Sequence, residues 1–276
     1  MPTSPRNDQA IGVFDSGIGG LTVAASLRHL LPHENILYIG DTARVPYGGK
    51  SRETVERYSI EIGNMLLAGG AKMIVVACNT ASALGVPRMK EVFEVPVVGV
   101  VVPGAKAAVD STKNKTIGVI GTRATIASGA YEKAILALEP GATIHSAPCP
   151  LLVPLIEEGL IADSLTDQML RRYLDPLLSQ GIDTLVLGCT HYPLLKKAIA
   201  RIAGPSVSLV DSAENCALSV GHLLRESHLA SPKKDNGQLE VTLTDSAEGF
   251  LHTAAQALNL PITKVSLQNS PERPKN

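Results

Sequence analysis

The chain has 276 residues, 45% of them hydrophobic, and 25 Lys and Arg against 26 Asp and Glu give a net charge of −1. That length accommodates two compact domains. The charge balance offers no basic surface for nucleic acid, and with no Trp and three Phe there is little on which bases could stack. The polar stretch Met1 to Ala10 lacks the apolar core of a signal peptide, and the most apolar run, Val95 to Val102, is too short for a bilayer and is broken by Pro96 and Gly99. No membrane partner is expected, and a cytoplasmic location follows by elimination.

Strand-like runs alternate with helical ones along the chain. Ile11 to Phe14 reads as a buried strand and Leu21 to Leu31 as the helix after it. Asn35 to Gly40 is the next strand, and Ser51 to Ala68 a long helix with Ser51 as its cap. Met73 to Ala77, Val97 to Val101, Thr116 to Ile120, Thr143 to Ser146, Thr184 to Leu187 and Val207 to Val210 continue the strand series. Between them the pattern predicts helices over Thr125 to Leu138 and Ser164 to Ser179, with Ser164 and Asp167 at capping-box spacing. The segment 231–238 reads as a polar surface loop and 271–276 as a loose tail. Apolar strands alternating with helices call for mostly parallel sheets covered on both faces.

A faint repeat bears on domain organisation. Ile11-Gly12-Val13 recurs as Ile117-Gly118-Val119, 106 residues on, and each triplet is followed by a turn and a helix. Cys78 and Cys189 lie 111 residues apart. Composition changes near Val102-Pro103-Gly104 and after Asp211-Ser212. The expected fold is therefore α/β: two similar lobes, each a mostly parallel sheet flanked by helices, with the active site in the cleft between them. Residues 1–102 plus 212–276 form the first, discontinuous lobe, and residues 103–211 the second. Ligands bind beyond the carboxyl ends of parallel strands. Asp15-Ser16, Asp41, Cys78, Thr122, Cys189 and Asp211 occupy such ends and are expected to line one cleft.

Two short runs carry the chemistry. Ala77-Cys78-Asn79-Thr80-Ala81 and Gly188-Cys189-Thr190-His191-Tyr192-Pro193 each follow a strand-like run, and each places a hydrogen-bonding pair after the cysteine. A free cysteine is most often a small buried hydrophobe, but a polar pair at a strand end argues for a presented thiol. His191 is spaced to sit beside Cys189 and favour its thiolate, and Asp15 stands on a neighbouring strand end beside Cys78. Cys149 and Cys216 lack such neighbours and read as structural. The four cysteines show no CxxC spacing, so neither a disulfide framework nor a metal site is expected. Phe14-Asp15-Ser16-Gly17-Ile18-Gly19-Gly20 is a glycine-rich strand-to-helix turn whose amides can hold an anion. Asp41 to Lys50, with Pro46-Tyr47-Gly48, is either a plain loop or a turn that presents groups to a ligand. Glu157-Glu158 ends an apolar run and, by itself, reads as a solvated helix end.

Taken in order, FDSGIGGL, PYGGKS, ACNTAS, IGVIGT with TIASGAY, CPLLVPLIEEG and GCTHYP resemble the motifs of the glutamate racemase family. The resemblance runs from Ile11 to about Ser212 and weakens after it, where only Val241-Thr242 and a helix from Ala247 look family-like. It implies interconversion of L- and D-glutamate for peptidoglycan synthesis, with no cofactor and no metal. It implies Cys78 and Cys189 as the two proton-transfer groups, Asp15 assisting Cys78, and His191 with Glu157 assisting Cys189. Asp15, Ser16, Tyr47, Gly48, Asn79, Thr80, Thr190 and His191 would hold the substrate, with Thr122 and Thr125 as further candidates. The partner implied is glutamate, and the family suggests a homodimer. An aspartate racemase or a related cofactor-independent racemase of the same superfamily, a non-catalytic ligand-binding α/β protein and a thiol redox or metal protein remain the alternatives.

Overall fold

The computed structural model describes residues 5–246, 251 and 258–268. The strands are β1 (Ala10–Asp15), β2 (Ile36–Gly40), β3 (Ala71–Val76), β4 (Val97–Gly99), β5 (Thr116–Gly121), β6 (Thr143–Pro148), β7 (Thr184–Gly188), β8 (Ser208–Asp211), β9 (Leu239–Leu243) and β10 (Lys264–Leu267). The helices are α1 (Leu21–Leu30), α2 (Arg52–Ala68), α3 (Asn79–Leu84), α4 (Val86–Val92), α5 (Val101–Ser111), α6 (Arg123–Ala127), α7 (Ala130–Leu138), α8 (Leu152–Glu157), α9 (Ser164–Leu178), α10 (Lys196–Ala203) and α11 (Ser212–Glu226). The expected tail at 271–276 and helix from Ala247 lie outside the described residues, as do residues 1–4 of the polar N-terminus. Among the described residues, no helix is long and apolar enough to cross a membrane, and no group of three or more His, Cys, Asp or Glu is arranged to hold a metal ion.

The strands form two sheets, one ordered β10-β9-β2-β1-β3-β4 and the other β6-β5-β7-β8. Every pairing is parallel. Such strands are covered on both faces and read as near-continuous apolar runs. Accordingly every residue of β1 and β3 is buried. The faint repeat becomes a repeat of topology: β2-β1-β3-β4 and β6-β5-β7-β8 have the same order. Ile11-Gly12-Val13 lies in β1 and Ile117-Gly118-Val119 in β5, the strands flanked on both sides in those equivalent units. Cys78 lies just past β3 and Cys189 just past β7, so the two thiols occupy equivalent strand ends. β9 and β10 extend the first sheet beyond β2.

Three local readings change. Val101 was expected to end a strand, but the strand stops at Gly99 and Val101 begins α5. Pro103 is tolerated there because the amides of a helix's first turn have no intrahelical acceptor. The composition change at Val102-Pro103-Gly104 therefore falls inside the first turn of α5. The single helix expected over Thr125 to Leu138 is two helices, α6 and α7, parted at Gly129, whose φ of 63° is left-handed. The cap of α9 is Asp163, one residue before the Ser164 expected: its carboxylate accepts from the Leu165 amide at 2.7 Å. Ser51 caps α2 as expected, accepting from the Thr54 amide at 3.3 Å.

Candidate active site

The carboxyl ends of both sheets open onto one cavity of roughly 390 Å³. From the first sheet it is lined by Ser16 and Gly17 after β1, by Val45 to Gly49 after β2, and by Cys78, Asn79 and Thr80 after β3. From the second it is lined by Thr122 and Arg123 after β5, Cys149 and Pro150 after β6, Val153, Pro154 and Glu157 on α8, and Cys189, Thr190 and His191 after β7.

Cys78 is the N-cap of α3, and its sulfur accepts from the Ala81 amide at 3.5 Å while the thiol donates to Ser16 Oγ at 3.4 Å. Burial pushes this thiol up to about 12, and the Asp15 charge adds to the effect. The Ser16 and Ala81 contacts act the other way and are outweighed, so Cys78 rests as the protonated thiol at neutral pH. Asp15 itself is fully buried and does not line the cavity. The glycine-rich turn folds over it: the Gly17 amide donates to Oδ2 at 3.1 Å, and Thr190 Oγ1 reaches Oδ1 at 3.5 Å. Burial raises its pKa, against the lowering effect of His191 and the amides around it. Asp15 thus meets the cavity only through its field.

On the other side, Cys189 Sγ lies 3.9 Å from His191 Nδ1, and His191 Nε2 lies 3.2 Å from Glu157 Oε1. Glu157, rather than Glu158, lines the cavity. Burial alone would lower the His191 pKa, but its contacts with Cys189 and Glu157 prevail and bring it to about 10. An imidazolium therefore stands beside Cys189 at neutral pH. The glycine-rich turn is shaped to this ring. A Cβ at Gly19 would sit 2.5 Å from His191 Nδ1 and 2.6 Å from Thr190 Oγ1. Gly19→Ala is therefore expected to displace His191 and lower kcat/KM by roughly tenfold or more in steady-state assays, the scale on which small misplacements act.

The flanking pairs are arranged as donors and supports. Tyr131 OH donates to Asn79 Oδ1 at 2.7 Å and fixes the amide. Asn79 Nδ2 is then a buried donor with no partner among the described residues. A buried donor left without an acceptor costs about 1–3 kcal/mol. Thr80, Thr122 and Thr125 form a hydroxyl triad, at 2.9 Å for Thr80–Thr122, 3.2 Å for Thr80–Thr125 and 2.9 Å for Thr122–Thr125. Thr125 does not itself line the cavity. Gly48 lies against Thr122, where a Cβ would meet the threonine Cβ at 2.7 Å.

Besides Asp15, two further strand-end residues expected in the cleft lie elsewhere. Asp41 binds Arg44, Tyr47 and Thr244, and Asp211 caps α11 by accepting from the Ala213 amide at 2.8 Å. Conversely, Cys149, read as structural, lines the cavity, and its buried thiol is pushed up to about 12. Arg123 also lines it and was missed. Both follow strand ends, so the rule that ligands bind there was the available signal.

The family model described as Asp/Glu/Hydantoin racemase matches residues 21–218. The chain is 47% identical over 250 residues to the glutamate racemase of Geobacter metallireducens, covering 91% of this chain and 93% of that one. The chain belongs to the glutamate racemase family. Its fold matches that of this family in solved structures. The crystal structure of glutamate racemase isoform RacE1 from Bacillus anthracis superposes with a TM-score of 0.93 at 40% identity, over 97% of this chain and 100% of that one. The glutamate racemase of Francisella tularensis in complex with D-glutamate gives 0.88 at 35% identity, over 95% and 98%. Family membership thus joins a two-sheet fold to a cavity lined by Cys78 after the first sheet and by Cys149 and Cys189 after the second.

Proposed function

We propose that the protein interconverts L- and D-glutamate by proton transfer at Cα between two thiols, without a cofactor. The observation that carries this reading is the placement of Cys78 and Cys189 at equivalent strand ends of two like-ordered sheets, both on one cavity. A relative with D-glutamate bound supports the substrate. Inversion at carbon needs a base on one face and an acid on the other. In this reading the Cys189 thiolate takes the proton from L-glutamate while the Cys78 thiol donates one to the opposite face. D-glutamate reacts by the reverse transfer. After each turnover the protonation states of the two thiols are interchanged, and exchange with water restores them.

The unequal surroundings suit these roles. The His191 imidazolium, backed by Glu157, compensates a Cys189 thiolate, while Cys78 rests protonated with Asp15 behind it. Ser16, Tyr47-Gly48, Asn79-Thr80 and Thr190-His191 hold the substrate carboxylates and ammonium, with Thr122 and Thr125 bracing Thr80. Charge developing toward the α-carboxylate in the transition state is met by donors already in place, Asn79 Nδ2 among them. Residues 1–102 with 212–276 act as one lobe and 103–211 as the other, enclosing the substrate from two sides. The D-glutamate formed is assigned to peptidoglycan synthesis.

The test is polarimetry of the purified protein with each enantiomer of glutamate and of aspartate. Both glutamate enantiomers are expected to reach the racemate, with aspartate roughly tenfold slower or worse, since it lacks a methylene that the cavity accommodates. Preference for aspartate would overturn the substrate. Binding of glutamate without loss of rotation would make the protein a ligand-binding module instead.

A further inference from the structure

The loop after β2 is tied to the far end of the chain by groups that do not face the cavity. Asp41 is fully buried. Its Oδ2 accepts from Tyr47 OH at 2.5 Å and Arg44 Nε at 2.7 Å, and its Oδ1 accepts from Thr244 Oγ1 at 2.9 Å. Thr244 lies just past β9 and is itself buried. Its hydroxyl also accepts from the Ala43 amide at 3.0 Å. Beside it, Thr42 Oγ1 donates to the Asp245 carbonyl at 2.7 Å and accepts from the Asp245 amide at 2.8 Å. The same loop then presents Val45, Tyr47 and Gly48 to the cavity, with Gly48 against Thr122 of the second sheet.

We propose that Asp41 and Thr244 are positioning residues: they clasp the substrate-covering loop to the end of β9 and thereby set its grip on the substrate. The proposal rests on the racemase reading above. Hydrogen bonds to a carboxylate are stronger than neutral ones and fix geometry more tightly. Here one carboxylate fixes Tyr47 at the cavity wall, Arg44 within the loop and Thr244 outside it. The hydroxyl of Thr244 both donates to Asp41 and accepts from the loop backbone, so its removal strands an acceptor and a donor at once. A loop released in this way loses contacts made equally to substrate and transition state. Loss of uniform binding raises KM and leaves kcat in place.

Thr244→Val removes the hydroxyl and keeps the side-chain volume. The expected result is a KM about tenfold higher for both glutamate enantiomers, the scale of one lost hydrogen bond to a charged group, with kcat changed less than about twofold. Thr244→Ser restores KM to near the native value. Thr42→Val cuts the clasp from the loop side and is expected to move KM the same way; it decides the matter if circular dichroism shows that Thr244→Val does not fold. The proposal is overturned if KM is unchanged in the folded Val variant, if kcat falls while KM does not rise, or if the Ser variant is no better than Val. A native protein that fails to racemise glutamate overturns the racemase reading. A racemising native protein with unaffected Val variants overturns the clasp alone.

Discussion

Cys78→Ser and Cys189→Ser each lower kcat/KM for glutamate racemisation by between about 100-fold and 10,000-fold, the range general acid–base groups contribute. A serine hydroxyl neither takes nor gives a proton near neutral pH as a thiol does, and it fits the same space. Both sulfurs are buried at strand ends, Cys78 at 5% and Cys189 at 6% exposure, so the change is small sterically and large chemically. Enantiomers have equal free energy in water, so kcat/KM is identical for the two directions at every pH, in the native protein and in each variant. Each substitution must therefore slow both directions equally, whichever thiol it removes. Stopped polarimetry on both enantiomers, with thermal melts to show intact folding, measures this. Cys216→Ser is the contrasting case: Cys216 is buried in the core of the first sheet, away from the cavity, and its loss is expected to leave kcat/KM within about twofold.

The second large effect concerns the charge beside Cys189. Burial opposes protonation of His191, and contact with Cys189 and Glu157 reverses this, so the imidazolium persists to about pH 10. Glu157→Gln removes the charge 3.2 Å from Nε2 and leaves burial with less opposition. The His191 pKa then falls, and the alkaline fall-off of kcat/KM moves to lower pH by about one unit or more, each unit being about 1.4 kcal/mol of differential interaction. A one-unit fall from about 10 leaves the variant at pH 9 roughly twofold less active relative to the native protein than it is near pH 7, and the deficit approaches tenfold only well above pH 10. The stability linkage has a definite sign. The folded-state pKa is raised above the unfolded value of about 6.5, so the protonated imidazole contributes stability in full below about pH 6.5, and that contribution is lost as pH rises to about 10. His191→Asn should accordingly be destabilised relative to the native protein in acid, and the difference should shrink toward pH 10. An NMR titration of the His191 ring in native protein and Glu157→Gln reads the shift directly.

The two thiols were legible because local signals agreed: an apolar parallel strand, its end, and a small polar pair directly after it. The topological repeat was legible for the same reason, since Ile11-Gly12-Val13 and Ile117-Gly118-Val119 mark strands with the same neighbours. The place of Asp15 was half legible. Its strand end was right, but the sequence does not show that the following turn folds inward, so that Gly17 and Thr190 satisfy the carboxylate out of reach of the cavity. Gly129 was hidden inside a helical pattern that nothing local interrupts except the glycine itself. The tie between Asp41 and Thr244 spans 203 residues and has no periodic or motif signature. It arises only because β9 pairs beside β2 and brings Thr244 to the mouth of that loop. Arg123 and Cys149 were missed because their own neighbours are unremarkable, although each follows a strand end.

The central claim is that two separate thiols serve the two faces of one α-carbon, and the location of the hydrogen decides it. Each enantiomer of glutamate is incubated with the native protein in deuterated water, and the first few per cent of conversion is analysed by chiral separation and mass. Two thiols predict that the newly formed enantiomer carries deuterium at Cα while the unreacted substrate retains its proton, because the abstracted proton stays on one thiol and the other delivers a deuteron from solvent. Product that retains the substrate's own α-proton would show a single group working on both faces and would contradict the account.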